Sequence, residues 1–208
     1  MKNYTSAPLP FSGQKRRFAG KFKESLKEVA PNSIVVDLFG GSGLLSHFAK
    51  TALPNARVIY NDFDNYTLRL KNIENTNKLL SMIRHLLGST PGKHKIPSEI
   101  KNKILDLLKE NEDSGMIVDY HTISSNLMFS NNISLNFDEF RLHNLYNNIS
   151  KNDYNCEGYL KGVEVVSVDY KVLFNKYKEN ENVFFIFDPP YLNTLVESYA
   201  MNGWSLAT

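Results

Sequence analysis

Cysteine is scarce in this chain of 208 residues, and long apolar runs are missing from it. The one cysteine, Cys156, excludes a disulfide within the chain and suits a reducing compartment. The most apolar run is Val183–Phe187, which is far too short to span a bilayer. No apolar stretch typical of a secretory signal follows the first residues, Lys2–Ser6. We therefore expect a cytoplasmic protein that does not enter a membrane.

Neither sign of charge dominates, since the net charge is +2, and this neither requires nor excludes a nucleic-acid partner. The basic residues are nevertheless concentrated in one short segment: Lys15, Arg16, Arg17, Lys21, Lys23 and Lys27. This segment could contact phosphates, but charge alone favours the solvated face of an amphipathic helix. The histidines are scattered along the chain and form no cluster with Cys or Asp, so no metal site is predicted.

Short β-branched runs alternate with helical patterns towards both ends of the chain. Strands are predicted at 34–37, 57–60, 163–166 and 183–187, and helices at 44–53, from 64 to about 87 and from about 170 to 177. This alternation predicts a parallel sheet with helices on both faces. The strand 183–187 is apolar on both sides, which is typical of the middle of such a sheet. The predicted fold class is α/β with a Rossmann-like sheet.

A long polar stretch, residues 88–162, separates the second of these helices from the third strand. It is too long for a loop between a helix and a strand, so we interpret it as an inserted, mainly helical subdomain. Helices are predicted within it at 98–110 and 137–149. Residues 1–87 and 163–208 then form the domain that contains the sheet.

A glycine-rich loop follows the first predicted strand, with the sequence Asp37-Leu38-Phe39-Gly40-Gly41-Ser42-Gly43. Glycine permits positive φ and a close approach of a ligand, and the helix that follows offers unpaired N–H donors. The loop also approaches the dinucleotide fingerprint G-x-G-x-x-G, with Ser46 in the last position. On its own, the loop therefore favours a dinucleotide and another cofactor about equally, and a purely structural turn less.

Two carboxylates follow the second predicted strand, in Asn61-Asp62-Phe63-Asp64. A carboxylate at this position can accept both hydroxyls of a ribose. Asp62 is the better candidate because it follows the strand directly, whereas Asp64 is predicted to cap the next helix. The motif indicates a cofactor that carries a nucleoside, and it does not separate NAD from the alternatives.

The motif Asp188-Pro189-Pro190-Tyr191 decides between these cofactors. Two successive prolines restrict φ and remove two N–H donors, which leaves a rigid turn with outward carbonyl groups. An exocyclic amine can donate its two hydrogens to the Asp188 carboxylate and the Pro189 carbonyl. The lone pair of its nitrogen is then free to attack a methyl sulfonium, and Tyr191 would stack on the purine. The structural alternative is an ordinary Pro-Pro loop with a chance aspartate, which the upstream glycine loop disfavours.

Taken in order, these segments resemble the Dam-like (alpha-group) adenine-N6 DNA methyltransferases. The resemblance rests on Pro10–Arg16, Asp37–Gly43, Asp62 and Asp188–Tyr191, and it runs from about Pro8 to Trp204. It implies S-adenosylmethionine as the cofactor and a flipped adenine of double-stranded DNA as the substrate. The target-recognition region of the family falls where this chain has its insertion.

The same resemblance implies a role for individual residues. The catalytic residues are expected to be Asp188, Pro189, Pro190 and Tyr191. The methionine end of the cofactor is expected to contact Phe11, Gly13, Lys15, Asp37, Phe39, Gly40 and Gly43. Asp62 is expected to bind the ribose, and Asp169 to lie near the cofactor adenine. A methyltransferase that acts on RNA or on a protein glutamine is less favoured, because family members acting on glutamine usually carry Asn in place of Asp188.

The sequence departs from the family after Tyr191. The chain ends at Thr208, whereas family members continue through further strands. We therefore expect a C-terminally truncated member whose sheet is incomplete at that edge, with a dimer or another partner chain covering the strand 183–187. The alternative to an active enzyme is an inactive remnant that binds S-adenosylmethionine or nucleic acid.

Overall fold

The computed structural model describes residues 2–13, 15–129 and 132–189. The chain divides into two compact units. The first contains residues up to 67 and from 156 onward, and the second contains residues 68–155. The second unit therefore both begins and ends earlier than the predicted insertion, 88–162.

A parallel sheet forms the centre of the first unit. Its strands are β1 (Ile34–Asp37), β2 (Arg57–Asn61), β3 (Glu164–Val166) and β4 (Val183–Ile186). Their spatial order is β3-β2-β1-β4, and every neighbouring pair is parallel. In this register Asp37 lies opposite Tyr60 of β2 and Ile186 of β4. The predicted α/β fold is confirmed.

Helices surround the sheet and make up most of the second unit. The described α-helices are α1 (Ala19–Ser25), α2 (Leu44–Ala52), α3 (Tyr66–Lys71), α4 (Ile73–Leu87), α5 (Ser98–Asp113), α6 (Tyr120–Leu127), α7 (Phe137–Leu142) and α8 (Tyr170–Tyr177). Short 3-10 turns at Arg16–Phe18 and Leu26–Glu28 flank α1. Of the basic segment, Lys21 and Lys23 lie in α1, and Arg16, Arg17 and Lys27 lie in the flanking 3-10 turns.

Both faces of the sheet are packed with apolar side chains, because successive residues of a strand point to opposite faces. Val35 packs with Phe22 of α1 and Ala49 of α2 on one face. Val36 packs with Leu173 of α8 on the other face. Helices therefore cover both faces, as the alternating sequence pattern predicts.

Strand β4 lies at the end of the described strand order and pairs with β1. Val183, Phe184 and Phe185 are partly exposed, and Ile186 is buried. The chain after Pro189 lies outside the described residues. That the sheet is incomplete at this edge, and that a dimer or a partner chain covers β4, therefore stays a prediction.

The helix predicted from residue 64 to about 87 is wrong as a single element. The chain forms α3 and α4, which are separated at Asn72. The backbone of Asn72 departs from helical geometry there, with φ −92° and ψ 9°. Its side-chain amide donates to the carbonyl of Ile117 at 2.8 Å, a tertiary contact that no local pattern reveals.

The helix predicted at 137–149 is also too long, since α7 ends at Leu142. The chain turns extended at His143, with φ −84° and ψ 152°. Beyond it, Asn147 exchanges backbone hydrogen bonds with the segment around Lys93 and His94, at 2.7 and 3.0 Å. A pairing between extended segments has replaced the last helical turns.

Helices α4 to α7 share one apolar core within the second unit. Each contributes a fully buried side chain, namely Ile83, Ile104, Ile123 and Phe140. The sequence pattern does not predict α6, which is rich in Ser, Thr and Asn. It forms because Asp119 caps its N-terminus, accepting from the backbone N–H of Thr122 at 3.1 Å.

Candidate active site

A cavity in the first unit opens at the carboxyl ends of β1 and β2. Its walls come from the N-terminal segment, the glycine-rich loop after β1, the acidic segment after β2, the start of α8 and the turn after β4. Parallel strands bring their carboxyl ends to one edge of a sheet, which is where ligands bind in open α/β folds. The fold thus gathers segments that are distant in sequence around one space.

Most of the residues predicted for the site line this cavity. They are Phe11, Gly13, Lys15, Asp37, Phe39, Gly40, Asp169, Asp188 and Pro189. Gly43 and Asp62 are not among the described residues that line it. Pro190 and Tyr191 lie outside the described residues.

The glycine-rich loop rests on the ring of Tyr60. A Cβ added to Gly40 would lie 2.1 Å from two carbon atoms of that ring. The Tyr60 hydroxyl donates to the carbonyl of Gly41 at 2.7 Å, which ties the loop to β2. Gly41 and Gly43 have φ values of +50° and +71°, a region that favours glycine. The loop conformation therefore depends on the glycines that the sequence motif contains.

Asp37 ends β1 and is fully buried at the wall of the cavity. The hydroxyl of Ser46 donates to its Oδ2 at 2.7 Å. Burial raises the pKa of Asp37 to about 7, the hydrogen bond from Ser46 opposes this rise, and the negative charge of Asp188 adds to it. Asp37 is therefore a carboxyl group whose ionisation responds to charges inside the cavity.

Asp62 and Asp64 lie in different surroundings, and the ribose-binding role of Asp62 stays a prediction. The carboxylate of Asp62 is buried and accepts the backbone N–H groups of Tyr66 and Thr67 at 2.6 and 2.9 Å, so it holds the start of α3. It also accepts the hydroxyl of Thr67, and its Oδ1 lies 2.9 Å from the Tyr60 hydroxyl oxygen, whose one hydrogen is shared between Asp62 and the carbonyl of Gly41. Asp64, in contrast, lines the cavity. The capping position belongs to Asp62, and the carboxylate at the cavity wall is Asp64.

Asn61 connects three strands just beneath the cavity, and the sequence analysis did not single it out. Its side-chain amide donates to the carbonyls of Leu38 and Val168 at 3.0 and 2.9 Å, and its Oδ1 accepts from the backbone N–H of Val168 at 3.0 Å. These hydrogen bonds fix the position of Val168 and so of the chain that leads into Asp169. An asparagine directly after the predicted strand 57–60 is the local sequence signal that could have revealed this role.

Tyr170 is a second lining residue that the sequence analysis did not identify. Its ring lies tilted against that of Phe39, with 4.8 Å between the centroids. The neighbouring Asp169 caps α8 by accepting from the backbone N–H of Lys171 at 2.7 Å. An aromatic pair and a carboxylate therefore stand side by side at this end of the cavity.

Asp188 and Lys15, which both line the cavity, form an ion pair with 3.0 Å between Nζ and Oδ2. Both side chains are mostly buried, at 18% exposure for Lys15 and 23% for Asp188. Asp188 follows β4, whose ladder to β1 fixes its position relative to Asp37. The predicted catalytic carboxylate and the predicted cofactor residues therefore share one cavity.

The described parts of the chain contain no group of three or more His, Cys, Asp or Glu side chains that could hold a metal ion. Among the described helices, none is both long and apolar enough to cross a membrane. The described lining of the cavity offers carboxylates, one lysine, serine hydroxyls, the Asn61 amide, aromatic rings and main-chain groups.

Comparison with known proteins identifies the family of the chain. The family model described as "D12 class N6 adenine-specific DNA methyltransferase" matches residues 11–208. A protein of Haemophilus influenzae named "Putative methyltransferase" is 39% identical over 204 residues, which cover 95% of this chain and 68% of that protein. No solved structure shows a significant match. The chain belongs to the family of D12 class N6 adenine-specific DNA methyltransferases.

Proposed function

We propose that this protein transfers a methyl group from S-adenosylmethionine to the N6 amine of an adenine flipped out of double-stranded DNA. One observation carries the proposal: Asp188 and Pro189 line the same cavity as the glycine-rich loop. A methyl donor bound by the loop and an amine bound by Asp188 would therefore lie in the same cavity, in direct contact. Holding two reacting groups in the right orientation raises their effective concentration, and this accounts for a large part of the rate enhancement of many enzymes.

The residues of the cavity suit the polar groups of this cofactor. Asp37 and the N-terminal segment, with Phe11 and Gly13, would hold its methionine end above the glycine-rich loop. Asp64, in place of Asp62, would accept the ribose hydroxyls, because Asp64 lines the cavity and the oxygens of Asp62 already cap α3. Asp169 would lie near the adenine amine, with the Phe39 and Tyr170 rings beside it.

On the substrate side, the Asp188 carboxylate and the Pro189 carbonyl would accept the two hydrogens of the target amine. This keeps the nitrogen lone pair out of conjugation with the ring and aims it into the cavity. When bound, S-adenosylmethionine supplies the electrophilic methyl group. Asp188 would hold the proton that leaves the nitrogen as the new bond forms, before it passes to water. Tyr191 stays the proposed stacking partner of the base.

The direct test is the transfer of tritiated methyl groups from S-adenosylmethionine to unmethylated duplex DNA by this chain. We expect label in N6-methyladenine after digestion of the DNA to nucleosides. Calorimetry with S-adenosylmethionine, and with NAD for comparison, completes the test. Binding of S-adenosylmethionine without any transfer would identify an inactive remnant, and the absence of both would contradict the proposal.

The different surroundings of Asp62 and Asp64 lead to a prediction for the cofactor affinity. We expect Asp64→Asn to weaken S-adenosylmethionine binding by about 1.5–3 kcal/mol, since charge-assisted hydrogen bonds to the ribose are lost. Asp62→Ala is expected to lower the free energy of unfolding instead, by about 1–2 kcal/mol, because α3 loses its cap. Calorimetry and urea unfolding on both variants measure these effects. If only Asp62→Ala bound S-adenosylmethionine more weakly, and the variant were as stable as the wild type, Asp62 would be the ribose ligand as first predicted.

The raised pKa of Asp37 predicts how cofactor affinity depends on pH. With a pKa of about 7, the carboxyl group is protonated in mild acid, and a cationic ligand favours its ionised form. We therefore expect the affinity for S-adenosylmethionine to rise with pH up to about pH 7, by as much as about tenfold per unit, and then to level off. Titrations between pH 5.5 and 8.5 test this. Asp37→Asn should flatten the profile, and a wild-type profile without slope would contradict the prediction.

A further inference from the structure

The ion pair between Lys15 and Asp188 joins two segments that the sequence analysis assigned to different tasks. Lys15 was expected at the methionine end of the cofactor, and Asp188 at the target amine. In the structure the Lys15 ammonium lies 3.0 Å from Oδ2 of Asp188. At 18% and 23% exposure the two side chains are largely screened from water, so their attraction is stronger than that of a surface pair.

The main chain holds both partners in place. The carbonyl of Lys15 accepts the backbone N–H of Phe18 at 3.0 Å, which closes the 3-10 turn Arg16–Phe18. On the other side, the backbone N–H of Leu38 donates to the carbonyl of Ile186 at 3.2 Å, two residues before Asp188. The meeting of the two side chains is therefore built into the fold of the first unit.

The charges around the pair are unbalanced. Four carboxylates line the described cavity, namely Asp37, Asp64, Asp169 and Asp188, and Lys15 is the one Lys or Arg among its described lining residues. Lys21 borders only the groove on the other side of Lys15 and Asp188. The negative charge of Asp188 also contributes to the raised pKa of Asp37, so these two carboxyl groups interact. Lys15 therefore places the one described cationic side chain of the cavity directly beside one of two interacting carboxyl groups.

The proposed reaction requires Asp188 as an ionised carboxylate in a fixed orientation. A protonated Asp188 would carry no negative charge to stabilise the positive charge that develops on the target nitrogen. Its protonated oxygen would also donate a hydrogen bond instead of accepting one from the amine. A carboxylate that rotates freely would also present its oxygens to the amine in variable directions. The ammonium of Lys15 opposes both protonation and free rotation of the Asp188 carboxylate, because its positive charge favours the carboxylate and it binds Oδ2.

We propose that Lys15 is a positioning residue for Asp188: its ammonium holds Oδ2, so that Oδ1 accepts the hydrogen of the target amine. The assignment rests on the proposed function, and it gives Lys15 a role in the methyl-transfer step beyond the contact to the cofactor that the family resemblance implies. Lys15 acts through Asp188 and does not touch the reacting nitrogen.

The test compares Lys15→Met with Lys15→Arg under single-turnover conditions with saturating S-adenosylmethionine and DNA. We expect Lys15→Met to slow methyl transfer by about tenfold or more, and to move the acid side of the pH–rate profile to higher pH. The dissociation constant of S-adenosylmethionine should change much less than the rate. Lys15→Arg keeps the charge and should recover most of the rate and the wild-type profile.

Lys27→Met is the matched control, because Lys27 belongs to the same basic segment and forms an exposed pair with Glu24 at 3.5 Å. It should behave like the wild type. If Lys15→Met does not fold, as judged by its thermal unfolding, Lys15→Gln takes its place in every measurement. An unchanged rate and pH profile in the neutral variant would overturn the assignment, and so would a loss confined to cofactor affinity. A wild-type chain that transfers no methyl group would overturn the proposed function itself, and this assignment with it.

Discussion

Asp188→Asn is expected to slow methyl transfer on the order of 10²–10³-fold, the effect typical of removing one group that stabilises a transition state. The amide has nearly the same shape as the carboxylate, but it carries no charge to stabilise the positive charge that develops on the amine. Single-turnover transfer of tritiated methyl groups measures the effect. Affinity for S-adenosylmethionine should change far less than the rate, since the rest of the cavity stays in place.

Glu179→Gln provides the control for Asp188→Asn. Glu179 is an 89% exposed carboxylate of the first unit that follows α8, and it does not line the cavity. We expect wild-type rates from this variant. If Asp188→Asn transferred methyl groups as fast as the wild type, Asp188 would not accept the target amine, and the proposed mechanism would be wrong.

Gly40→Ala is expected to lower the free energy of unfolding by about 1–3 kcal/mol and to abolish measurable cofactor binding. The new Cβ would lie 2.1 Å from the ring of Tyr60 and 2.8 Å from the carbonyl oxygen of Asn61. Tyr60 cannot easily retreat, because it is fully buried and its hydroxyl is bonded to Gly41 and Asp62. Urea unfolding and calorimetry with S-adenosylmethionine measure the two effects.

Gly20→Ala is the matched control for Gly40→Ala. Gly20 lies in α1, and a Cβ added there meets no atom within 4 Å. Alanine should therefore stabilise the protein by about 0.4–1 kcal/mol through helix propensity and a less flexible unfolded chain. If Gly40→Ala were as stable as the wild type, the loop would not approach Tyr60 as closely as the structure has it.

The sequence predicts the sheet well because its signals are local. The run at 34–37, the glycine-rich loop and the helix that begins at Leu44 follow one another, and the structure confirms each. The helix predicted from about 170 to 177 is likewise confirmed as Tyr170–Tyr177. Where a helix ends through tertiary contacts, as at Leu142, the pattern continues past the true end.

The site is predictable as a set of segments, and less so as individual side chains. Asp62 and Asp64 are both acidic, and the sequence does not show which of them faces the ligand. The Tyr60 hydroxyl and the N-terminus of α3 bind Asp62, which leaves Asp64 at the cavity wall. The pair of Lys15 and Asp188 is likewise invisible to local patterns, because it joins opposite ends of the chain.

The register between β1 and β4 bears on how such proteins diversify. Asp37 and Asp188 owe their separation to adjacent strands of the first unit, paired from Ile34 with Val183 to Asp37 with Ile186. No residue of the second unit, 68–155, takes part in that pairing. A change confined to those residues would therefore not alter this pairing directly. The second unit can accordingly vary in sequence without any change in the strand pair that positions Asp37 and Asp188.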